Sequence, residues 1–315
     1  MHPVPRDTIR TEITSEEQWH ALRAKNVGAS EAGALRGEHP FETAYSLSAL
    51  KLGLTRPKLD NAAMARGRKL ECVAIDELRD IHPDWKIWAP KAYYSDRKAR
   101  LGCTPDCFFQ EEGGGRAGVV QIKSVQPSVF ERKWRDSEGN IVVPAWIRTQ
   151  VMLEMHLTGL QLGFVAALVI GHGIELHLIE VAFDHEHIDR LYFAARAFWE
   201  RVDGGRLCEP DFARDGGTIA EVLAQDDGTE LDLSSDNELP GLVAQLERAR
   251  TIAAETSALA AAAKARVLAR IGTAAAVKYA GGTISAKTIE IKEHVVKASS
   301  TRRLTVRKDK GIDDE

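Results

Sequence analysis

Residues 101–124 read LGCTPDCFFQEEGGGRAGVVQIKS and decide the fold class of this chain. Apolar runs on both sides of the three glycines indicate two neighbouring strands joined by a tight turn. Side chains on a strand alternate between its faces, so Gln121 and Lys123 should project to one side with Ile122 buried behind them. If the preceding hairpin strand carries Asp106 near its turn, a carboxylate, an amide oxygen and an ammonium group converge at one sheet edge.

This set of groups predicts a particular chemistry. Mg²⁺ prefers oxygen ligands and keeps several of its waters in protein sites. Hydrolysis of a phosphodiester needs a metal-activated water, with positive charge beside the developing pentavalent phosphate. The spacing of Asp106, Gln121 and Lys123 offers both, and therefore predicts a magnesium-dependent hydrolytic site.

The elements on either side of this stretch indicate an α/β (α+β-like) fold, in which a mixed central sheet is flanked by helices. Thr14 and Glu17, at capping-box spacing, predict the start of the first helix. Periodicity and breakers predict helices over 14–26, from Ser30, over 43–53, 61–81, 145–157 and 185–202. They predict strands over 86–94, 101–104, 107–110, 118–124, 162–170 and 175–183.

The chain divides by composition into three parts. Residues 1–205 form the predicted catalytic domain, and residues 206–238 are rich in Asp, Glu and Gly, which is typical of an acidic linker or loop region. Residues 239–315 predict a long amphipathic helix, packed on a partner helix or subunit, and then a basic β-hairpin after Gly281–Gly282. The basic residues of this extension are Lys287, Lys292, Lys297, Arg302, Arg303, Arg307, Lys308 and Lys310.

Composition excludes several classes of protein. The 315 residues carry a formal net charge of −4, with 44% hydrophobic and 28% charged residues, which argues against a histone-like DNA binder. No apolar run is long enough for a transmembrane helix, and no secretory signal is present, so we expect a cytoplasmic protein. Four cysteines without a CxxC pair predict reduced thiols, and Cys103 and Cys107 lack the further cysteines that an iron–sulfur cluster needs.

Four separated motifs carry a resemblance to a known family. They are Trp19-His20-Ala21-Leu22-Arg23 leading to Gly28-Ala29-Ser30-Glu31-Ala32; Gly67-Arg68-Lys69-Leu70-Glu71; Thr104-Pro105-Asp106 with Gln121-Ile122-Lys123; and Gln150 with Leu157-Thr158-Gly159. Together they resemble the PD-(D/E)xK nuclease superfamily, specifically the YqaJ-type viral recombinase family that includes phage lambda exonuclease. The resemblance covers about residues 15–203, and it implies a restriction-endonuclease-like core.

The resemblance also implies roles for single residues. Asp106, the Ile122 backbone carbonyl and position 121 would ligate the metal, with Glu71 as an additional acidic group. Lys123 would orient the attacking water or stabilise the transition state, and Gln150 would lie near the metal-site waters. Arg23 and Ser30, with a contribution from Thr104, resemble a pocket for the 5′-phosphate of a DNA end. A helix N-terminus and a guanidinium both suit an anion.

For the whole protein, the resemblance implies an exonuclease that acts on double-stranded DNA ends. It would digest 5′→3′ with Mg²⁺, which Mn²⁺ could replace, and leave a 3′ single strand for recombination by annealing. A ring-shaped homo-oligomer such as a trimer, a single-strand annealing protein as partner, and a phage or prophage origin in a bacterial host are further implications.

Gln121 departs from the family pattern, which has Glu or Asp at this position. Three interpretations stay open: a natural variant in which Glu71 supplies the charge, an engineered substitution that traps substrate, or a relative that only binds. At Glu154, one helical turn after Gln150, the sequence favours a solvated carboxylate over one that faces the site. Two further functions remain as alternatives, a PD-(D/E)xK endonuclease and a catalytically silent module that binds DNA ends.

Overall fold

The computed structural model describes residues 7–57, 61–290, 302 and 304–306. The chain forms two compact units, Met1–Val222 and Leu223–Glu315. The helices of the first unit are α1 Glu16–Ala24, α2 Ala29–Ala32, α3 Ala44–Lys51, α4 Ala62–Ile81, α5 Pro127–Lys133, α6 Ala145–Thr158, α7 His185–Asp203 and α8 Gly216–Val222. Its strands are β1 Thr8–Glu12, β2 Val27–Gly28, β3 Trp85–Trp88, β4 Ala92–Asp96, β5 Leu101–Cys103, β6 Cys107–Glu111, β7 Ala117–Val125, β8 Leu162–Ile170 and β9 Ile174–Glu180.

A five-stranded mixed sheet in the order β3-β6-β7-β8-β9 forms the centre of the first unit. Neighbours pair antiparallel except β7 and β8, which are parallel and are connected through α5 and α6. A second sheet has the order β1-β4-β5-β2. The predicted α/β class, with a mixed sheet flanked by helices, is therefore confirmed.

Helices cover both faces of the central sheet. Val119 of β7 packs in a core with Val151 and Leu153 of α6, whereas Val120 and Ile122 pack in a second core with residues of α4. Burial on both faces explains why β8 is apolar at almost every position. The three inner strands of this sheet, β6, β7 and β8, are therefore largely buried.

Several predicted boundaries need correction. Residues 86–94 form two strands, β3 and β4, which belong to different sheets, because Pro90 lacks an N–H and interrupts the pairing between them. The N-cap of α1 is Ser15, whose side chain accepts a hydrogen bond from the Gln18 backbone, and Thr14 instead contacts the side chain of Gln18. Sequence patterns predicted neither β1, which is mostly polar, nor the short helix α5.

The first unit extends to Val222, past the predicted end at residue 205. Within the segment assigned to the acidic linker, Asp215 is 1% exposed and accepts a hydrogen bond from the Thr43 hydroxyl at 2.5 Å. The Cys208 backbone donates to the Ser48 hydroxyl at 3.0 Å. Residues 206–222 thus contact α3 and its N-cap, where the buried Asp215 carboxylate finds a hydroxyl donor.

The second unit contains α9 Leu239–Ile271 and the hairpin of β10 Ala276–Tyr279 and β11 Gly282–Ser285. The long helix is as predicted, and none of its residues is buried. The hairpin begins before Gly281–Gly282 and not after it, because these glycines lie at its turn. Of the predicted basic residues, Lys287 and Arg302 are described, whereas Lys292, Lys297, Arg303, Arg307, Lys308 and Lys310 lie outside the described residues. No helix in the described ranges has the length and hydropathy of a membrane span.

Thr43 tests how firmly residues 206–222 are held. Its hydroxyl caps α3 by accepting from the Ser46 backbone at 2.9 Å, and it also donates to Asp215. We expect Thr43→Val to lower the free energy of unfolding by about 2 kcal/mol, because a cap is lost and a buried carboxylate loses a donor. Thr43→Ser keeps the hydroxyl and should stay near the wild type. Urea denaturation of both variants measures the difference, and equal stability would contradict the proposed contact.

Candidate active site

Asp106 lies in the loop between β5 and β6, one residue before β6 begins. The register pairs Cys107 with Val120, which places Asp106 beside Gln121 on β7. One oxygen of Asp106, Oδ2, accepts hydrogen bonds from the Gln121 side-chain amide and, at 2.8 Å, from the Ile122 backbone. The structure therefore brings Asp106 and Gln121 together where interior strand β6 begins beside the middle of interior strand β7, and not at a sheet edge.

Lys123 lies two residues further along the same face of β7 and contacts α6. Its Nζ donates to Oε1 of Gln150 at 3.0 Å and lies 5.5 Å from the centre of the Trp146 ring. The amide nitrogen of Gln150 donates in turn to Oε1 of Glu154 at 3.0 Å. A continuous polar row, Lys123–Gln150–Glu154, thus runs from the strand into the helix.

Glu154 is 0% exposed, so the prediction of a solvated carboxylate is wrong. The face of α6 that carries Gln150 and Glu154 packs on the sheet, and a four-residue spacing keeps both side chains on that face. Burial, with the nearby charge of Asp106, raises the pKa of Glu154. The helix therefore contributes a carboxyl group to this region that the sequence alone did not place there.

Glu71 reaches this region from α4 and is half-buried. Burial raises its pKa to about 7, and the charge of Asp106 adds to the rise, whereas Arg68 and Lys123 oppose it. Burial also raises the pKa of Asp106, against the effects of Lys123 and of its two hydrogen bonds. The two carboxyl groups thus influence each other, as expected of groups that share one site.

The oxygen atoms of this region suit a hard divalent cation. The candidates are the carboxylate of Asp106, the carbonyl oxygens of Gln121 and Ile122, and the carboxylate of Glu71. Oε1 of Gln121 is buried and has no hydrogen-bond partner among the described residues, which fits an oxygen available to a cation. Among the residues that the structure describes, no three His, Cys, Asp or Glu side chains are grouped so that they could hold a metal ion. A cation here would therefore depend on neutral oxygens as well as carboxylates.

Arg23, Ser30 and Thr104 surround a second polar region. The Arg23 guanidinium lies 3.5 Å from the Ser30 hydroxyl and 4.8 Å from the centre of the Trp19 ring. Nε1 of Trp19 donates to the Thr104 hydroxyl at 3.1 Å, two residues before Asp106 in the chain. The predicted phosphate-binding residues are thus brought together, and Trp19 connects them to the loop that carries Asp106.

Glu31 is the residue of this second region whose contacts the sequence did not predict. Its carboxylate pairs with Arg23 at 2.8 Å and accepts from the Gly28 backbone at 3.0 Å, while Lys51 lies 4.0 Å away. A carboxylate held by a guanidinium and a backbone N–H at a helix start occupies donors that a phosphate would use. The spacing from Gly28 to Glu31, typical of a capping box, is the signal that could have indicated it.

Cys103 and Cys107 are both buried with free thiols, as predicted. Burial raises the pKa of both, and of Cys107 to about 12, so neither is a reactive thiolate at neutral pH. They belong to the packing around the site.

Comparison with known proteins gives the family of this domain. A model of the YqaJ-like viral recombinase domain matches residues 18–161, whereas no curated protein sequence matches the chain. The alkaline exonuclease LHK-Exo from Laribacter hongkongensis is similar at 20% identity and a TM-score of 0.48, over 65% of this chain and 100% of that chain. A putative exonuclease from Eubacterium rectale is similar at 11% and 0.42, over 72% and 99% of the two chains.

The shutoff and exonuclease protein of Kaposi's sarcoma-associated herpesvirus is similar at 11% identity and a TM-score of 0.39, over 61% of this chain and 70% of that chain. The matched range 18–161 contains Arg23, Asp106, Gln121, Lys123 and Gln150, and therefore both polar regions. Residues 18–161 thus match the model of the YqaJ-like viral recombinase domain, in agreement with the family that the sequence motifs indicate.

Proposed function

We propose that this chain is a metal-dependent nuclease that digests double-stranded DNA from its ends, 5′→3′, and leaves 3′ single strands for annealing. The coarser part, a nuclease of the recombinase family, is supported by the family match over residues 18–161. The finer part rests on one observation. The Asp106–Gln121–Lys123 group and the Arg23–Ser30 group are connected by the bond from Trp19 to Thr104.

In this proposal, each residue has a distinct task. Arg23 and Ser30 hold the terminal 5′-phosphate, which would exchange with the Glu31 carboxylate for the Arg23 guanidinium. Lys123, held by Gln150, places its ammonium beside the phosphate under attack and stabilises the charge that develops there. Asp106, Gln121, the Ile122 carbonyl and Glu71 would hold Mg²⁺ or Mn²⁺, which supplies an activated water and a positive charge when bound.

Four DNA substrates test the proposal in one experiment. Linear duplexes with a 5′-phosphate or a 5′-hydroxyl, closed circular duplex, and linear single strands are each incubated with Mg²⁺, Mn²⁺ or EDTA. We expect mononucleotides from the 5′-phosphorylated linear duplex, slower digestion of the 5′-hydroxyl duplex, and no cutting of the circle. Nicked or linearised circles would indicate an endonuclease instead.

A second function, a silent module that binds DNA ends, is favoured by one specific contact. The Gln121 side chain donates a hydrogen bond to Asp106, and so satisfies an oxygen that a cation would otherwise take. This function predicts that linear duplex is bound but stays intact with either metal ion. The same four-substrate experiment therefore separates the two functions.

Assembly and partners are part of the same proposal. A ring-shaped homo-oligomer would keep the enzyme on DNA between cuts, and a single-strand annealing protein would receive the 3′ strand. Light scattering after size exclusion measures the oligomer, and a trimer is expected. A monomer that digests processively would contradict the ring.

Arg23→Ala tests the phosphate pocket. Loss of the guanidinium removes a charge-assisted contact to the terminal phosphate, so KM for 5′-phosphorylated ends should rise roughly tenfold. KM for 5′-hydroxyl ends should change little, because these ends have no terminal phosphate for Arg23 to contact. Arg196→Ala is the matched control, since this arginine side chain on α7 is 81% exposed. An equal loss on both kinds of end would contradict the pocket.

A further inference from the structure

Glu154 is the feature of α6 that the proposed function does not use. It lies in the middle of a buried helix face, and its side chain is fully enclosed. Oε1 accepts from the Gln150 amide at 3.0 Å, and Oε2 has no hydrogen-bond partner among the residues that are described. Enclosing a carboxyl group is costly, and an apolar side chain would fill the same space at lower cost. The group therefore needs an explanation other than packing.

The explanation follows from the asymmetry of an amide. A glutamine side chain has a donor end and an acceptor end, and it can exchange them by a half-turn about its last bond. An ammonium group only donates, and Oε1 of Glu154 is the acceptor in its contact with Gln150. Gln150 lies between Lys123 and Glu154 with its nitrogen towards the carboxyl group and its oxygen towards the ammonium group. Turning the amide over would put two donors face to face at Lys123 and two acceptors face to face at Oε1 of Glu154, and would break both contacts.

We propose that Glu154 is a positioning residue that holds the Gln150 amide in the orientation that presents its oxygen to Lys123. The proposal rests on the proposed function and deepens it, since it states what keeps the essential ammonium group in place. Trp146, also on α6, flanks the same ammonium group, whose nitrogen lies 5.5 Å from the centre of the indole ring. Without an acceptor at position 154, the Gln150 amide can turn, and Lys123 loses its oxygen partner.

A double-mutant cycle tests this role. Glu154→Met replaces the carboxyl group with an unbranched apolar side chain, and Gln150→Ala removes the amide. We expect each single change to lower kcat by roughly 10- to 100-fold with KM nearly unchanged, and the double change to be no slower than Gln150→Ala alone. Glu154→Gln keeps a carbonyl oxygen and should restore most of the rate. Effects that multiply in the double variant would overturn the proposal.

A second readout does not depend on cleavage. Competitive labelling with acetic anhydride, followed by mass spectrometry, compares the reactivity of the Lys123 amine with that of exposed Lys86 in the same molecule. Glu154→Met and Gln150→Ala should raise the Lys123 to Lys86 ratio to the same extent, and Glu154→Gln should leave it near the wild type. An unchanged ratio in Glu154→Met overturns the positioning role. If the wild type cuts none of the substrates, the proposed nuclease function is wrong. The labelling ratio still tests the positioning role of Glu154 in that case.

Melting curves of the same variants exclude loss of structure as the cause. If Glu154→Met does not fold, Glu154→Leu takes its place. The Gln150→Ala variant, which lacks the amide, can still be compared with Glu154→Gln, which keeps an acceptor at position 154. Equal labelling of Lys123 in Gln150→Ala and the wild type would also overturn the proposal, because the amide would then not hold the ammonium group.

Discussion

Replacing Lys123 with alanine should lower kcat about 1,000-fold while DNA ends are still bound. The Lys123 ammonium group begins the polar row Lys123–Gln150–Glu154 and donates to the Gln150 side chain at 3.0 Å. A charge beside the phosphate stabilises the transition state far more than the ground state, so its loss affects kcat and leaves KM almost unchanged. Single-turnover digestion of a 5′-phosphorylated duplex measures the rate, and fluorescence anisotropy of the same duplex without metal measures binding.

Lys86→Ala is the matched control for this change. Lys86 is exposed on β3, an edge strand of the same sheet, so its removal changes the net charge equally without touching the site. Melting curves exclude unfolding as the cause of a slow variant. Turnover by Lys123→Ala within a few-fold of the wild type would remove Lys123, and with it the proposed site, from the mechanism.

The arrangement of β6 and β7 could be predicted because it depends on short-range rules. Alternation along a strand puts Gln121 and Lys123 on one face, and the structure shows Lys123 contacting α6 while Ile122 packs in the core with α4. The glycines before Arg116 predict the turn, and the hairpin register then places Asp106 beside Gln121. Local geometry thus brought together the residues that carry the candidate chemistry.

Long-range contacts could not be predicted in the same way. The burial of Glu154 depends on which face of α6 meets the sheet, and a carboxylate is itself a signal for exposure. The division of residues 86–94 between two sheets depends on partners far along the chain. The ion pair of Glu31 with Arg23 likewise requires the approach of α1 and α2, which strand or helix periodicity does not report.

The contact between Gln121 and Asp106 bears on all three interpretations of the unusual residue. Burial raises the pKa of Asp106, and the amide that donates to this carboxyl group opposes the rise, together with Lys123 and the Ile122 backbone. It also leaves Oε1 of Gln121 as a neutral ligand, which attracts Mg²⁺ less than a carboxylate does. An amide at this position would therefore favour the stability of the metal-free protein over its affinity for Mg²⁺.

Gln121→Glu should reverse this balance. A second carboxylate beside Asp106 raises the charge that attracts Mg²⁺, and we expect about 100-fold tighter binding of the ion, or about 2.8 kcal/mol. Without metal, the two carboxylates repel each other and the amide donor is lost, so the variant should melt below the wild type. With saturating Mg²⁺ its melting temperature should rise more than that of the wild type, because the ion binds the folded state.

Titration of Mg²⁺ against both the digestion rate and the melting temperature measures these effects of Gln121→Glu. Gln126→Glu adds the same charge at an exposed position next to β7 and should leave both titrations unchanged. A digestion rate that appears only in Gln121→Glu would support the silent end-binding module, since the charge alone would then be missing. Identical Mg²⁺ midpoints in the wild type and the variant would mean that the amide oxygen suffices, and that Glu71 or other oxygens carry the attraction for the ion.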